Sequence, residues 1–385
     1  GFSIPISWTF GAKDYKEMRR YTANTVWLSV AFAVVLTVVT VALTRAVLVW
    51  TNTPDNIIDL ADVYIRTIFA GIPLTLLYNV TSALMRALGD SKRPLFFLLV
   101  ASFLNIGLDL ACIIVFDMGV FGAAFATVFS QGVAGVGSLL YILRHYHELR
   151  WSKDEGAFSL PHCAKLCSMG IPMGLQCSIT AIGSVVLQGA VNGLGSDIVA
   201  AQTAGGKAAQ FLAVPLESIG TAMTTYVSQN LGAKRIDRVK TGVRAGIIIN
   251  TIATTIIILI GFPASPLLIR LIAGTNDPAV IDPAVMYIRI SVCCFYVLGP
   301  LFVLRCAMQG MGRKIVPVLS STMEMVGKIL AVLFLAPALG YLGVAITEPI
   351  IWAAGTLMLT IMYLSNPPEK MFASILGSSS AYEHD

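Results

Sequence analysis

Charge is what this chain has least of. Lys, Arg, Asp and Glu make up 12% of its 385 residues and hydrophobic residues 56%, whereas a soluble domain carries about twice that charge share. Tyr21 to Val49 holds one charge, Arg45, and Ile247 to Ile269 holds none. Alternating segments of about ten residues are absent, which excludes a membrane β-barrel. The seven cysteines (Cys112, Cys163, Cys167, Cys177, Cys293, Cys294 and Cys306) are odd in number and lack CxxC spacing, against a disulfide framework or zinc site. The four histidines, His145, His147, His162 and His384, fall outside the apolar runs, so no metal site or proton relay through His is expected. No GxxxxGK[ST] phosphate loop is present, nor HExxH or GxSxG within an apolar run, which removes an ATP-driven pump domain and the commoner embedded enzymes.

What is present is a series of apolar runs long enough to cross a bilayer as helices. Ten complete spans are expected, at 22–48, 64–88, 95–116, 120–143, 166–191, 198–228, 243–262, 284–308, 315–337 and 341–364, with residues 1–10 as the tail of another. The expected fold is an all-α polytopic membrane protein.

The chain also repeats itself. Gly11-Ala12-Lys13 recurs as Gly232-Ala233-Lys234, and Tyr64-Ile65-Arg66 as Tyr287-Ile288-Arg289. Gly89 and Pro94 map onto Gly312 and Pro317, and Gly119 and Gly122 onto Gly340 and Gly343. Ordered matches at nearly constant spacing mark two copies of one long unit. The second copy reaches back to about residue 166, with no upstream counterpart in the first. Roughly 55–60 residues, enough for two spans, are therefore expected to be missing ahead of residue 1, so that the chain reads as a fragment. Two pseudo-symmetric six-helix bundles follow, the first lacking about two helices. The boundaries are 1–143 for the truncated bundle, 144–165 for a cytoplasmic linker, 166–364 for the second bundle and 365–385 for a cytoplasmic tail. Six spans per copy make the repeats parallel.

Basic residues cluster in alternate loops: Lys13, Lys16, Arg19 and Arg20; Arg86, Lys92 and Arg93; Arg144, Arg150, Lys153 and Lys165. The pattern continues with Lys234, Arg235, Arg238, Lys240 and Arg244, then Arg305, Arg313 and Lys314, and Lys370. The loops 51–62 and 274–283 hold acids and no Lys or Arg. The positive-inside rule makes the basic loops and the C-terminus cytoplasmic in a cell membrane; the net charge of +5 marks topology, and no nucleic-acid partner is expected.

An ionisable residue inside a span is a functional hypothesis by default. Asp109 lies midway along 95–116, with Asn105 on the same helix face four residues earlier. The pair offers oxygen ligands for Na⁺, or Asp109 alone takes a proton; the competing reading is an Asp bonded to a neighbouring helix. Glu324 and Lys328, also four apart, read either as an intrahelical pair or as groups facing a central cavity. Lys207 and Glu217 read as lying on roughly opposite sides of their helix, with Lys207 the cavity candidate. Arg66 and Arg289, repeat mates, read as snorkelling to the interface. Gly132, Gly135 and Gly137, and Gly205-Gly206, permit close helix packing.

Taken together, Phe10-Gly11-Ala12-Lys13-Asp14, Gln229-Asn230-Leu231-Gly232-Ala233-Lys234, Asn105-x-x-Leu108-Asp109 and Gly119-Val120-Phe121-Gly122-Ala123-Ala124-Phe125-Ala126-Thr127 resemble the multidrug and toxic compound extrusion (MATE) transporters. The resemblance covers residues 1–364. It implies two bundles around a V-shaped cavity and export of amphipathic, often cationic compounds in exchange for Na⁺ or H⁺, without other cofactors, by a monomer. It also implies a cation site shared by a first-span Asp, which falls in the missing segment, and by Asn105, Asp109 and Thr127. A seventh-span Glu of some members is matched here by Gln176, which leaves no acidic site there; Gln176, Lys207, Glu324 and Lys328 remain as substrate-cavity candidates. The alternatives are a lipid-linked oligosaccharide flippase of the same superfamily, disfavoured by the scarcity of deep cations, and an embedded enzyme or scaffold.

Overall fold

A computed structural model describes residues 1–51, 53–365 and 367–369. The remainder of the expected tail, with Lys370 and His384, lies outside the described residues. Among the described residues the backbone forms helices, turns and bends and no strand. Seven helical stretches are long and apolar enough to cross a membrane, and two further spans are bent pairs: Ile58–Ala70 with Ile72–Ala87, at 42°, and Pro278–Cys293 with Phe295–Gly310, at 54°. The tenth expected span, 198–228, falls in the 37-residue helix Ser196–Gly232, long enough but more polar than the other nine.

The helices used below are α1 (Ser3–Gly11), α2 (Tyr15–Trp50), α3 (Ile58–Ala70), α4 (Ile72–Ala87), α5 (Lys92–Leu110), α6 (Gly119–His145), α7 (Leu160–Asn192), α8 (Ser196–Gly232), α9 (Ile236–Ala273), α10 (Pro278–Cys293), α11 (Phe295–Gly310), α12 (Ile315–Leu330), α13 (Ala336–Leu339) and α14 (Tyr341–Ser365). They fall into two compact units, Phe2–Leu166 and Cys167 onward, the boundary lying inside α7.

In the first unit α6 is the centre, packed by α3, α4 and α5, while α2 closes on α3 and α4. Gly135 permits this: a Cβ there would stand 3.0 Å from the backbone nitrogen of Tyr78 on α4, so a small residue lets the two backbones approach. In the second unit α8 contacts α9, α10 and α11, and α14 packs on α10, α11 and α12. Its apolar core gathers Leu216, Ile269, Ile288, Phe295 and Leu298. The two most apolar spans, α2 and α5 with its π turn, are among the least buried. Phe103 on α5 is 73% exposed, and Val34, Val38 and Leu43 on α2 are exposed as well. Such surface is stable only against hydrocarbon, as expected of helices that face lipid.

The repeat is visible in the backbone. Lys13 and Lys234 both sit at φ 59°, left-handed values that a non-glycine residue rarely adopts. Gly119 at φ 54° is matched by Gly340 at φ 57°, and Gly89 at φ 92° by Gly312 at φ 82°. Both units also widen into a single π turn at matching places, Ala111–Val115 after α5 and Ala331–Leu335 after α12.

Residues 144–165 fold back on α2. Glu155 accepts from Arg19 Nε at 2.8 Å and Nη2 at 2.6 Å, and from the Ser152 amide at 3.0 Å. His162 Nε2 meets Glu17 Oε1 at 2.8 Å, and Asn24 Oδ1 accepts the Ser159 amide at 2.8 Å. The Arg19 guanidinium, then the Ser152 amide, hold the Glu155 carboxyl down at about 2, from 4.5. Beside this latch, burial pushes the Asp90 carboxyl up, but the Tyr146 hydroxyl at 2.6 Å and the amides of Arg93 and Lys92 outweigh it and hold it below its ordinary value. A folded pKa below the unfolded one adds stability that is complete above the unfolded value and is lost as pH falls through the folded one. The latch should therefore persist from neutral pH to about pH 4.5 and fail as pH approaches 2. Glu155→Gln should open it at neutral pH, which hydrogen exchange of the 150–160 amides will register as lost protection with the spans unchanged.

Candidate functional site

Asn105 and Asp109 both belong to α5, and Thr127 to α6, the helix on which α5 packs. The Asn105 amide donates to Thr127 Oγ1 at 3.4 Å, and Thr127 in turn donates to the Ala123 carbonyl at 3.0 Å. Asp109 stands one turn further along α5, two residues before the π turn. Its Oδ1 is buried and has no hydrogen-bond partner. A buried carboxylate oxygen left unmatched is costly in any protein and more so within a span. The three residues singled out in the sequence are thus placed on two packed helices of one unit, and their least satisfied atom is a carboxyl oxygen. A π turn, which inserts a residue into the helical ladder, is frequent at functional sites.

The second unit carries the larger polar assembly, and it corrects the sequence-based reading. Glu324 and Lys328 are 8% and 3% exposed, and they do not pair with each other. Glu324 forms an ion pair with Arg305 of α11, whose Nη2 also donates to Ser320 Oγ at 2.7 Å. Lys328 Nζ pairs with Glu348 of α14 at 2.8 Å and donates to Ser184 of α7 at 3.2 Å. Four residues of separation places two side chains on one face, but two packed neighbours offer each of them a closer opposite charge.

Arg305 is consequently not a loop cation: it is a buried member of α11, 7% exposed. Gln176 of α7 accepts from Gln309 of α11 at 2.8 Å, an uncharged link. Lys207 lies on the exposed face of α8 together with Glu217. Ten residues at 3.6 per turn leave these two about 80° apart rather than opposite. Arg289 does not snorkel. Its Nε donates to Ser265 of α9 at 3.0 Å and its guanidinium lies 4.8 Å from the centre of the Phe262 ring. Arg66 does turn outward, bonded to Asp62 at 3.0 Å.

The residue the sequence reading missed is Glu348, an acid within a span, flagged only by its place before Pro349. Removing one partner of a buried ion pair strands a charge and costs about 3–5 kcal/mol, whereas replacing both with apolar groups is often neutral. Glu324→Gln is accordingly expected to lower the melting temperature of the detergent-solubilised protein sharply, and Arg305→Met with Glu324→Leu to recover most of the loss.

Comparison with known proteins is consistent with this architecture. The family model MatE matches residues 1–111 and 172–335. The chain is 25% identical over 369 residues to the probable multidrug resistance protein YoeA of Bacillus subtilis, covering 93% of this chain and 79% of that protein. It is 32% identical over 235 residues to the probable multidrug resistance protein YpnP of the same organism, covering 60% and 51%. The crystal structure of MATE in complex with MaL6 superposes with a TM-score of 0.90 at 19% identity, over 98% of this chain and 84% of that one.

Proposed function

This chain belongs to the MatE family of multi-pass membrane transporters, and we propose that it exports small amphipathic, often cationic compounds from the cell in exchange for Na⁺ or H⁺, taking that ion at Asn105, Asp109 and Thr127. The observation that carries the reading is the buried, unpartnered Oδ1 of Asp109, one turn from the Asn105–Thr127 bond. A carboxylate in that position gains from any cation that arrives and is left exposed to an uncompensated cost when the cation departs. That difference is what drives an alternating-access cycle. One carboxylate with neutral oxygens around it suits a monovalent ion or a proton better than a divalent one. The substrate class is supported by relatives named as multidrug resistance proteins. The flippase alternative needs free cations to hold a pyrophosphate, and in the second unit Arg305 and Lys328 are already neutralised by glutamates.

Asp109→Asn in the transport-competent protein should abolish ion-driven dye efflux without reducing membrane expression. Normal efflux against a gradient by that variant would make Asp109 a structural residue. Gln176, held in a neutral amide link, carries no coupling charge, and Gln176→Ala should at most change substrate affinity.

The proposed topology places the loops 11–20, 86–93, 144–165, 232–244 and 309–314 in the cytoplasm, with the C-terminus, in a monomer of the cell membrane. On a cysteine-free background, Asp277→Cys should react with an impermeant external thiol reagent and Lys13→Cys should not. The reverse pattern would invert the whole assignment.

A further inference from the structure

The two units carry one backbone device at matched positions and place different charged groups around it. In each, a helix runs into a π turn, Ala111–Val115 in the first and Ala331–Leu335 in the second, at a spacing of 220. A glycine at positive φ then marks the entry to the following long helix, Gly119 as the first residue of α6 and Gly340 between the short α13 and α14, at a spacing of 221. In the first unit the last turn of α5 holds Asp109. The π-turn spacing carries that slot to residue 329, and its neighbour Lys328 is the buried ionisable group there. Thr127 on the following helix maps, at the glycine spacing, onto Glu348. Glu348 thus stands at the place of Thr127, and it pairs with Lys328, one residue from the place of Asp109.

The surroundings of that pair are complete. Lys328 is 3% exposed. From α7, Ser184 Oγ accepts a hydrogen bond from Lys328 Nζ at 3.2 Å, and a Cβ on Gly183 would stand 3.2 Å from Lys328 Cδ, so the stem is clasped closely. From α10, Tyr287 packs with Ala345 of α14, three residues before Glu348. Gln202 of α8 is held by the Tyr341 hydroxyl at 3.0 Å. Glu324 and Arg305 neutralise each other, Arg289 of α10 is held by Ser265, and Asp282 of α10 and Lys207 and Glu217 of α8 are exposed.

We propose that Lys328–Glu348 is a cation site closed by the protein itself: the Lys328 ammonium holds, in the second unit, the place that a mobile cation takes at Asp109 in the first. Its consequence is stoichiometric. The second unit takes up no coupling ion, and a single site sets the number exchanged per cycle. The likeness to Asp109 rests on the function proposed above; the closure of the second site does not, and it is tested separately.

The full chain is purified in detergent and its melting temperature followed against Na⁺, with choline chloride holding ionic strength, and against pH between 5 and 8. In an Asp109→Asn background the melting temperature should be indifferent to both. Adding Lys328→Gln should open the site, so that the melting temperature rises with the logarithm of Na⁺ or proton concentration. Adding Glu348→Gln to that variant should remove the response again. A Lys328→Gln protein that stays indifferent, or a response that survives Glu348→Gln, overturns the proposal. If Lys328→Gln does not fold in ordinary buffer, recovery in high Na⁺ or at acid pH, requiring Glu348, supports the closed site; failure to recover under either condition counts against it. If Asp109→Asn changes nothing because the parent is already indifferent, the first-unit site fails while the Lys328→Gln comparison, made in the parent, still decides this one.

Discussion

Every charge inside this protein needs a partner within a few ångströms, because the spans offer little water to supply one. That constraint organises the second unit. Arg305 is answered by Glu324 and Ser320, and Lys328 by Glu348 and Ser184. These contacts tie α11 to α12, and α12 to α14 and α7, fixing the rotation of four helices about their axes. Apolar packing alone would leave those rotations weakly specified, since a lipid-facing and an interior-facing leucine differ little in free energy within a membrane. The first unit is held differently, by small residues at α6 and by the polar latch of residues 150–162 on α2. Among its described residues several buried hydroxyls lack a partner, and Asp109 Oδ1 is the one carboxyl oxygen that does, whereas Glu324 and Glu348 of the other unit are paired.

Much of this was legible in the linear sequence. The spans follow from the length of the apolar runs, and the repeat from a few short matches whose backbone angles proved equal, down to the shared left-handed φ of Lys13 and Lys234. Asp109, with Asn105 on its helix face, was identifiable because an acid in mid-span is expensive wherever it points, and Thr127 entered only through the family resemblance. The partners in the second unit were not. A spacing of four residues makes Glu324 and Lys328 look like mates, and nothing linear reveals that Arg305 lies nearer one and Glu348 nearer the other. Arg305 was hidden by its position five residues from a helix end, where a cation normally reads as part of the loop. Arg289 was misread for a related reason: its exit toward the interface was assumed, while Ser265 and Phe262 lay on a helix 24 and 27 residues away in sequence.

Equal backbones with unequal charges set a limit on how the two halves share the work. A transporter built from parallel repeats has two geometrically similar places for a coupling ion. If both were open carboxylate sites, the uptake of one ion would leave the other half with an unmatched charge, and intermediate states would be costly. A lysine tethered against Glu348 removes that state from the second half at the expense of its ion sensitivity. On the proposed reading, Asp109 of the first half is a buried carboxyl group left without a partner at its Oδ1, and its occupancy would be the variable to which substrate binding is linked. Asymmetry of charge on a symmetric scaffold is therefore the simplest physical route by which a duplicated fold couples to one ion rather than two.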